Sequence, residues 1–333
     1  MPDYSAIIRR SIEIVKKNKW LLVYGLILAG TAGGGGGSGS GGGGSDWSEL
    51  KDLQKDIQQD LPQKTSQVLG SYTNSLKDWF LSINTSYWLL LGLGLLIVIV
   101  LSIVIGLVIK NWAKGSLITG CSIAENDELV DLKNTSPQGL KYLKNLIIYS
   151  LIVTGISLTL IIVIPSFWVL VYFFVRNLEV FKIIWIVLGV LVGFLTFIVA
   201  ILVISVVGVY AERLIVLKNY KPMQAWKKGL SLGKKGFMTT LVMGIINSAI
   251  EFGVGCVSIL ILLIVLGIPG FIFISFIIKG EISAITIIGI VLLIFIFIYT
   301  NLIIRAALVV FKYANWNQIF NLMLEQEENT KEP

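Results

Sequence analysis

The sequence predicts an all-α polytopic membrane protein, a transmembrane helical bundle, and three observations carry that prediction. First, five apolar runs, at 89–109, 146–174, 183–209, 241–266 and 285–303, contain few or no charges. Crossing about 30 Å of hydrocarbon takes roughly 20 helical residues, and each run is near that length or longer. Second, the chain is 55% hydrophobic and only 14% charged, whereas a soluble domain carries about 25% charged residues. Third, the charges are unevenly placed. With the amino terminus inside, residues 1–19, 110–145, 210–238 and the tail from 305 are cytoplasmic, and they hold 20 of the 27 Lys and Arg. That is the positive-inside pattern, so both termini are expected in the cytoplasm. Eight of the nine Trp stand near the proposed span ends, as an aromatic belt requires: Trp20, Trp79, Trp88, Trp112, Trp168, Trp185, Trp226 and Trp316.

The amino-terminal region, 1–32, reads as an interfacial helix followed by a short first span. Over 3–19, Ile7, Ile8, Ile12 and Val15 share a face, and Arg9, Arg10, Lys16 and Lys17 are placed to reach lipid phosphates. The apolar stretch 20–32 is short for a span, and crosses only if Lys17 and Lys19 snorkel and glycines beyond it are also buried. The charged residues ahead of it, including Glu13, argue against a cleaved signal peptide.

Residues 33–45, GGGGGSGSGGGGS, form a flexible linker. Residues 46–86 follow as an extracytoplasmic amphipathic helical insert. Asp46 and Glu49 have capping-box spacing, and Trp47, Leu50, Leu53, Ile57 and Leu61 make one helical stripe that Pro62 ends. Val68, Tyr72, Leu76 and Phe80 make a second. The membrane bundle occupies 87–333, with spans at about 87–109, 146–174, 183–209, 239–266 and 284–309, joined by cytoplasmic loops.

A repeat organises these spans. RRSIEIVKK at 9–17 and KKGLSLGKK at 227–235 each place one basic pair seven residues ahead of another, and QGLKYLK at 138–144 is a shorter analogue. Pro165-Ser166-Phe167 and Pro269-Gly270-Phe271 both follow an apolar core and are expected to form bends. The six spans then read as three tandem helical hairpins, each opened by a basic interfacial segment. In the third, Lys227, Lys228, Lys234 and Lys235 are the candidate headgroup contacts.

Glu251 is the residue singled out inside the membrane, because an ionised carboxylate there must be paired, hydrated or protonated. Asn247 lies one turn earlier on the same face, and Arg305 sits near the inner end of the last span. Arg305 has three options: Glu251, Glu212 or snorkelling to headgroups, of which snorkelling is preferred. Glu212 and Arg213 form a candidate ion pair at the cytoplasmic boundary. Gly189 with Gly193, and Gly244 with Ser248, have the spacing of close-packing helix motifs. The acidic group Glu125, Asp127, Glu128 and Asp131 reads as a solvated loop.

With no histidine and two separated cysteines, Cys121 and Cys256, the usual triads, zinc sites and structural disulfides have no basis. No Walker loop or dinucleotide fingerprint is present, so no cofactor is expected. The net charge of +7 belongs to topology and anionic headgroups rather than nucleic acid. The expected partners are the bilayer itself and, beyond it, a membrane protein.

NKWLLVYGLILAG at 18–30, NWAKGSLITG at 111–120, YAERLIVL at 210–217 and AWKKGLSLGKK at 225–235 together form a series. It resembles bacterial six-span integral membrane proteins similar to the membrane domain attached to some glycerophosphoryl diester phosphodiesterases. The resemblance covers nearly the whole chain except 46–81. It implies a fold and a plasma-membrane location, not hydrolysis, since the diesterase domain and its catalytic histidines have no counterpart here. The leading expectation is a non-enzymatic, membrane-organising or accessory protein. The alternatives are a small transporter or permease using Glu251, Asn247 and Arg305, and, given little weight, an intramembrane lipid-modifying enzyme.

Overall fold

The computed structural model describes residues 2–31, 85–175, 179–267, 269–270 and 284–329. The glycine linker, the insert up to residue 84 and residues 271–283, which include the expected bend residue Phe271, lie outside the described residues. Within them the chain is all-α, with eight α-helices. These are α1 (Tyr4–Lys17), α2 (Leu21–Gly30), α3 (Thr85–Glu125), α4 (Leu132–Val175), α5 (Glu179–Lys218), α6 (Pro222–Lys235), α7 (Phe237–Leu262) and α8 (Ala284–Asn329). A π-helical turn, Leu263–Gly267, extends α7.

Five of these helices, α3, α4, α5, α7 and α8, are long and apolar enough to cross a membrane. The four longest have 40 to 46 residues, or roughly 60–70 Å at 1.5 Å per residue, about twice the hydrocarbon thickness. Their length corrects the expected loops. Residues 110–125, 132–145 and 210–218 are not connections but helical continuations of the spans. Hydropathy saw only the uniformly apolar halves, whereas the continuations mix small, polar and charged residues with apolar ones and are packed inside the bundle: on α3, Asn111, Ala113, Ser116, Leu117, Ile118 and Cys121 are all buried.

The chain divides into two compact units, Ser38–Gly106 and a larger one comprising Met1–Gly37 with Leu107–Pro333. In the smaller unit, the described part is the first half of α3, where Leu90 to Ile105 present large apolar side chains outward. In the larger unit, the apolar halves of α4, α5 and α8 are likewise exposed, from Leu151 to Phe173, Val187 to Val203 and Ile288 to Ile303. Such continuous apolar surface is stable only against lipid or another protein.

The larger unit's core joins Tyr24 and Leu28 of α2, Leu117 and Ile118 of α3, Leu214 and Ile215 of α5, Leu232 of α6 and Phe320 of α8. α2 lies against α8, with Leu21, Tyr24 and Leu28 fully buried. Its ten described residues reach only about 15 Å, half of the hydrocarbon thickness.

α1 starts at a capped end: the Asp3 carboxylate accepts the Ser5 and Ala6 amides at 3.0 and 3.2 Å. Its protein-facing stripe is Ile7, Ser11 and Ile14, while Ile12, on the face expected to meet the membrane, is exposed. A polar contact holds Ser11 inward. Gln318 of α8 donates to the Ser11 hydroxyl at 2.8 Å and to the Ile7 carbonyl at 3.4 Å. At the other end, Asn18 donates to the Ile14 carbonyl and accepts the Val130 amide at 3.1 Å, tying α1 to the turn before α4.

Pro165 does not end the third apolar segment. α4 runs through it and through Pro137 to Val175. A membrane helix tolerates such a proline because its neighbouring turns stay hydrogen-bonded, and nearby Thr159 and Ser166 donate back to carbonyls one turn earlier. The repeat is thus imperfect. α1 and α6 are separate basic helices ahead of α2 and α7, but QGLKYLK is simply part of α4.

Candidate functional site

α3, α4, α5 and α8 each pass from the buried bundle to an exposed apolar half within a few residues. At that junction they wall a cavity of about 300 Å³. Its polar lining comes from Lys110 and Lys114 on α3, Tyr149, Ser150 and Thr154 on α4, Ser205, Glu212 and Arg213 on α5, and Lys312, Tyr313 and Trp316 on α8. One local pattern recurs on three of the walls, an aromatic residue followed by alanine: Trp112-Ala113, Tyr210-Ala211 and Tyr313-Ala314. All three alanines are completely buried. Small residues let helices approach closely, and the polar side chains of the adjoining positions then meet across the gap.

The charges meet in pairs drawn from different helices. Lys114 forms an ion pair with Glu212, and both side chains are largely buried. Lys312 donates to the Glu251 carboxylate at 2.6 Å. Four positions from Glu251 on α7, Asn247 accepts from the Asn315 amide at 2.8 Å, three positions beyond Lys312 on α8. The two contacts form a double clamp between α7 and α8. Arg213 is buried, donating to the carbonyls of Val209 at 2.8 Å and Tyr313 at 3.1 Å, with its guanidinium over the Tyr313 ring. Tyr210 shares a 2.6 Å hydrogen bond with Thr240 of α7.

Of the residues singled out by sequence, Glu251 and Asn247 are joined through α8, and Glu212 and Arg213 both line the cavity. An ion pair does form at Glu212, but its cation is Lys114. Adjacent residues on a helix point about 100° apart, so Arg213 turns to backbone carbonyls instead. Arg305 is exposed on α8, and the cation beside Glu251 is Lys312. The expected headgroup cations divide. Arg9, Lys16, Lys17, Lys227, Lys234 and Lys235 are exposed. Arg10 is engaged by Asp127 at 2.8 Å and by the Glu125 carbonyl at 3.1 Å, and Lys228 by Glu327 at 2.5 Å. Lys17 and Lys235 keep weaker ion pairs, at 3.7 and 3.5 Å, while remaining exposed.

The acidic segment is therefore more than a solvated loop. Asp127, at a φ of 60° that aspartate tolerates better than most residues, docks α1. The hydrogen bond from Arg10 holds its carboxyl below the ordinary value. Glu125 accepts from Asn321 of α8 at 2.9 Å. The spacing Gly189 and Gly193 serves an aromatic side chain rather than a second backbone: the Trp168 indole lies over both. An almost wholly apolar groove of about 700 Å³ runs between α4 and α5 beside that indole.

Sequence reading missed Lys110, Lys114, Tyr149 and Lys312. For the three lysines the available signal was the aromatic-alanine repeat with lysines beside it, outside the apolar runs; Tyr149 lies within the run 146–174 and carried no such signal.

An all-α chain with five helices long and apolar enough to cross a membrane, and with paired charges gathered at their junction, belongs to the class of multi-pass membrane proteins. Within that class no particular relative emerges: no protein family, curated protein or solved structure matches the chain.

Proposed function

We propose that this chain is a plasma-membrane protein of bacterial type that organises or assists other membrane components without turning over a substrate. In this reading the buried bundle faces the cytoplasm, both termini lie on that side, and the chain traverses the bilayer as three hairpins. They are α2 with α3, α4 with α5, and α7 with α8, the first and third preceded by the basic helices α1 and α6. One observation carries the reading: apolar surface and charge are segregated along the same long helices. Their outer halves expose continuous Leu, Ile, Val and Phe, while the bundle end carries exposed Arg9, Lys16, Lys17, Lys227, Lys234 and Lys235. Cations so placed interact favourably with anionic headgroups at about 1 kcal/mol each near the surface. The resemblance to diesterase-associated membrane domains supports the location.

Co-purification from native membranes tests the accessory role, with identification of the retained lipids and proteins. A defined set of stoichiometric companions is expected. Turnover of a defined substrate by the reconstituted protein alone would refute it. A permease reading has one observation in its favour, that Lys312 holds Glu251 while itself lining the cavity. Solute flux into liposomes that is abolished by Glu251→Gln decides for that alternative.

A further inference from the structure

We infer that the cavity between α3, α4, α5 and α8 is a binding site for a phosphate-type anion. The inference rests on the membrane reading above, because the cavity lies where the apolar halves begin. Four cations line it, Lys110, Lys114, Arg213 and Lys312, against one lining carboxylate, Glu212. Glu212 is committed to Lys114, and Lys312 to Glu251. Arg213 hydrogen-bonds to carbonyls and lies over a ring, with Glu212 and Glu125 close enough to act on it electrostatically, and neither Arg213 nor Lys110 has an ion pair among the described residues. Four lining cations thus face one lining carboxylate, and two of the four lack an ion-pair partner among the described residues.

A second, independent observation concerns hydrogen bonding. Tyr149 and Arg213 are each only 2% exposed. The Tyr149 hydroxyl and the Arg213 Nε–H have no hydrogen-bond partner among the described residues. Buried donors are ordinarily satisfied, so these mark an acceptor that the cavity is built to receive. The hydroxyl lies beside Gly208, another lining residue, where a Cβ would come within 3.8 Å of it. The unspent donors come from three walls, Lys110 from α3, Tyr149 from α4 and Arg213 from α5. A tetrahedral, multiply charged acceptor meets three walls better than a planar carboxylate, and Arg is well suited to phosphate. The volume is at the lower end of the usual range for ligand sites, about 300–1,000 Å³, which suits a headgroup or a free phosphate.

The experiment uses the full-length chain in detergent, with binding followed by native mass spectrometry. The probes are a short-chain phosphatidic acid, inorganic phosphate, and a short-chain phosphatidylcholine. One-to-one binding of the phosphatidic acid is expected, about tenfold or more weaker in both Lys110→Gln and Tyr149→Phe. Phosphatidylcholine is expected to bind more weakly than the phosphatidic acid. Inorganic phosphate binding with the same sensitivity to both variants also supports the site, and assigns it to a soluble anion. Tyr149→Phe keeps the ring, so an unchanged melting temperature ties its loss to the hydroxyl. Absence of anion binding overturns the inference, and so does binding that falls only with Lys227→Gln and Lys234→Gln on the surface. Alkaline extraction of membranes containing the same proteins tests the membrane reading separately: release into the soluble fraction defeats that reading whatever the binding result.

Discussion

Gly25 offers a test in which the same substitution has opposite signs at two sites. On α2 it faces α8, and a Cβ there would lie 2.5 Å from the Ala306 carbonyl oxygen and 2.8 Å from a Val310 methyl. The first neighbour is backbone, which no rotamer change can move. Overpacking of this kind destabilises by typically 1–3 kcal/mol. A rigid backbone contact places Gly25→Ala toward the upper end, at about 2–3 kcal/mol. Against this, alanine exceeds glycine in helix propensity by about 1 kcal/mol. The net expectation is a loss of about 1–2 kcal/mol. Gly244, in the first third of α7, has nothing within 4 Å of its Cβ position. There the propensity gain is unopposed, and Gly244→Ala should be neutral or more stable by up to about 1 kcal/mol. Reversible unfolding of the full-length chain in mixed micelles, titrated with SDS and followed by far-UV circular dichroism, compares the two directly. If Gly25→Ala is as stable as Gly244→Ala, α2 does not pack on α8 as described.

Three further outcomes follow from the geometry. In a double-mutant cycle, Asn247→Ala and Asn315→Ala should show a favourable coupling of about 0.6 kcal/mol, and at most about 1.7, the range for interhelical hydrogen bonds in membranes. Additive losses would mean the amides do not bond. Hydrogen bonding to Arg10 lowers the Asp127 carboxyl in the folded chain, below its reference of 3.8. Its docking contribution is therefore complete above about pH 4 and disappears as pH falls through the lowered value. Amide exchange along α1, corrected for its intrinsic pH dependence, should accelerate in that acid window and lose this dependence in Asp127→Asn. Equal pH dependence in both proteins refutes the docking. Cys256 is exposed on α7 and Cys121 is buried, both as free thiols. In detergent, a small maleimide should modify Cys256 and spare Cys121 until unfolding, whereas a membrane-impermeant reagent should spare Cys256 in intact membranes. Rapid modification of Cys121 in the folded state contradicts its burial.

The five long helices were legible because lipid-facing segments are apolar on every side, so length and hydropathy suffice. Their continuations were not, because a helix packed inside a bundle can carry lysines whose partners come from other helices, as Lys114 does with Glu212. Lys110 and Lys114 made residues 110–125 look like a loop, although the stripe Ala113, Leu117, Cys121, Ala124 was present. The protein-facing stripe of α1 was not legible for a related reason: Ser11 turns inward because Gln318, 307 residues away, donates to its hydroxyl. Glu251 stood out because a carboxylate in an apolar run is conspicuous in one dimension. Its cation did not, because Lys312 is 61 residues away and their meeting depends on the register between α7 and α8. Arg305, conspicuous for the same local reason as Glu251, remains exposed on α8.

The paired charges stand at the junction for a physical reason. In the apolar halves no hydrophobic force favours one helix rotation over another, since lipid tails are as apolar as leucine. Register must therefore come from contacts that are directional, and it is most effectively set where a helix leaves the packed bundle. Lys114 with Glu212 links α3 to α5, Lys312 with Glu251 links α8 to α7, and Asn247 with Asn315 repeats the second link one turn away. A lone charge at any of these positions would face several kcal/mol of desolvation, so each pair strongly disfavours a slipped register in which its partner is missing. Glu251 thus belongs to the machinery that fixes helix rotation. Arg213 and Lys110, on α5 and α3, stand in the same layer of charge without an ion-pair partner among the described residues. A layer that pairs its other cations so closely, yet leaves these two facing a cavity, is arranged for an anion that the chain itself does not supply.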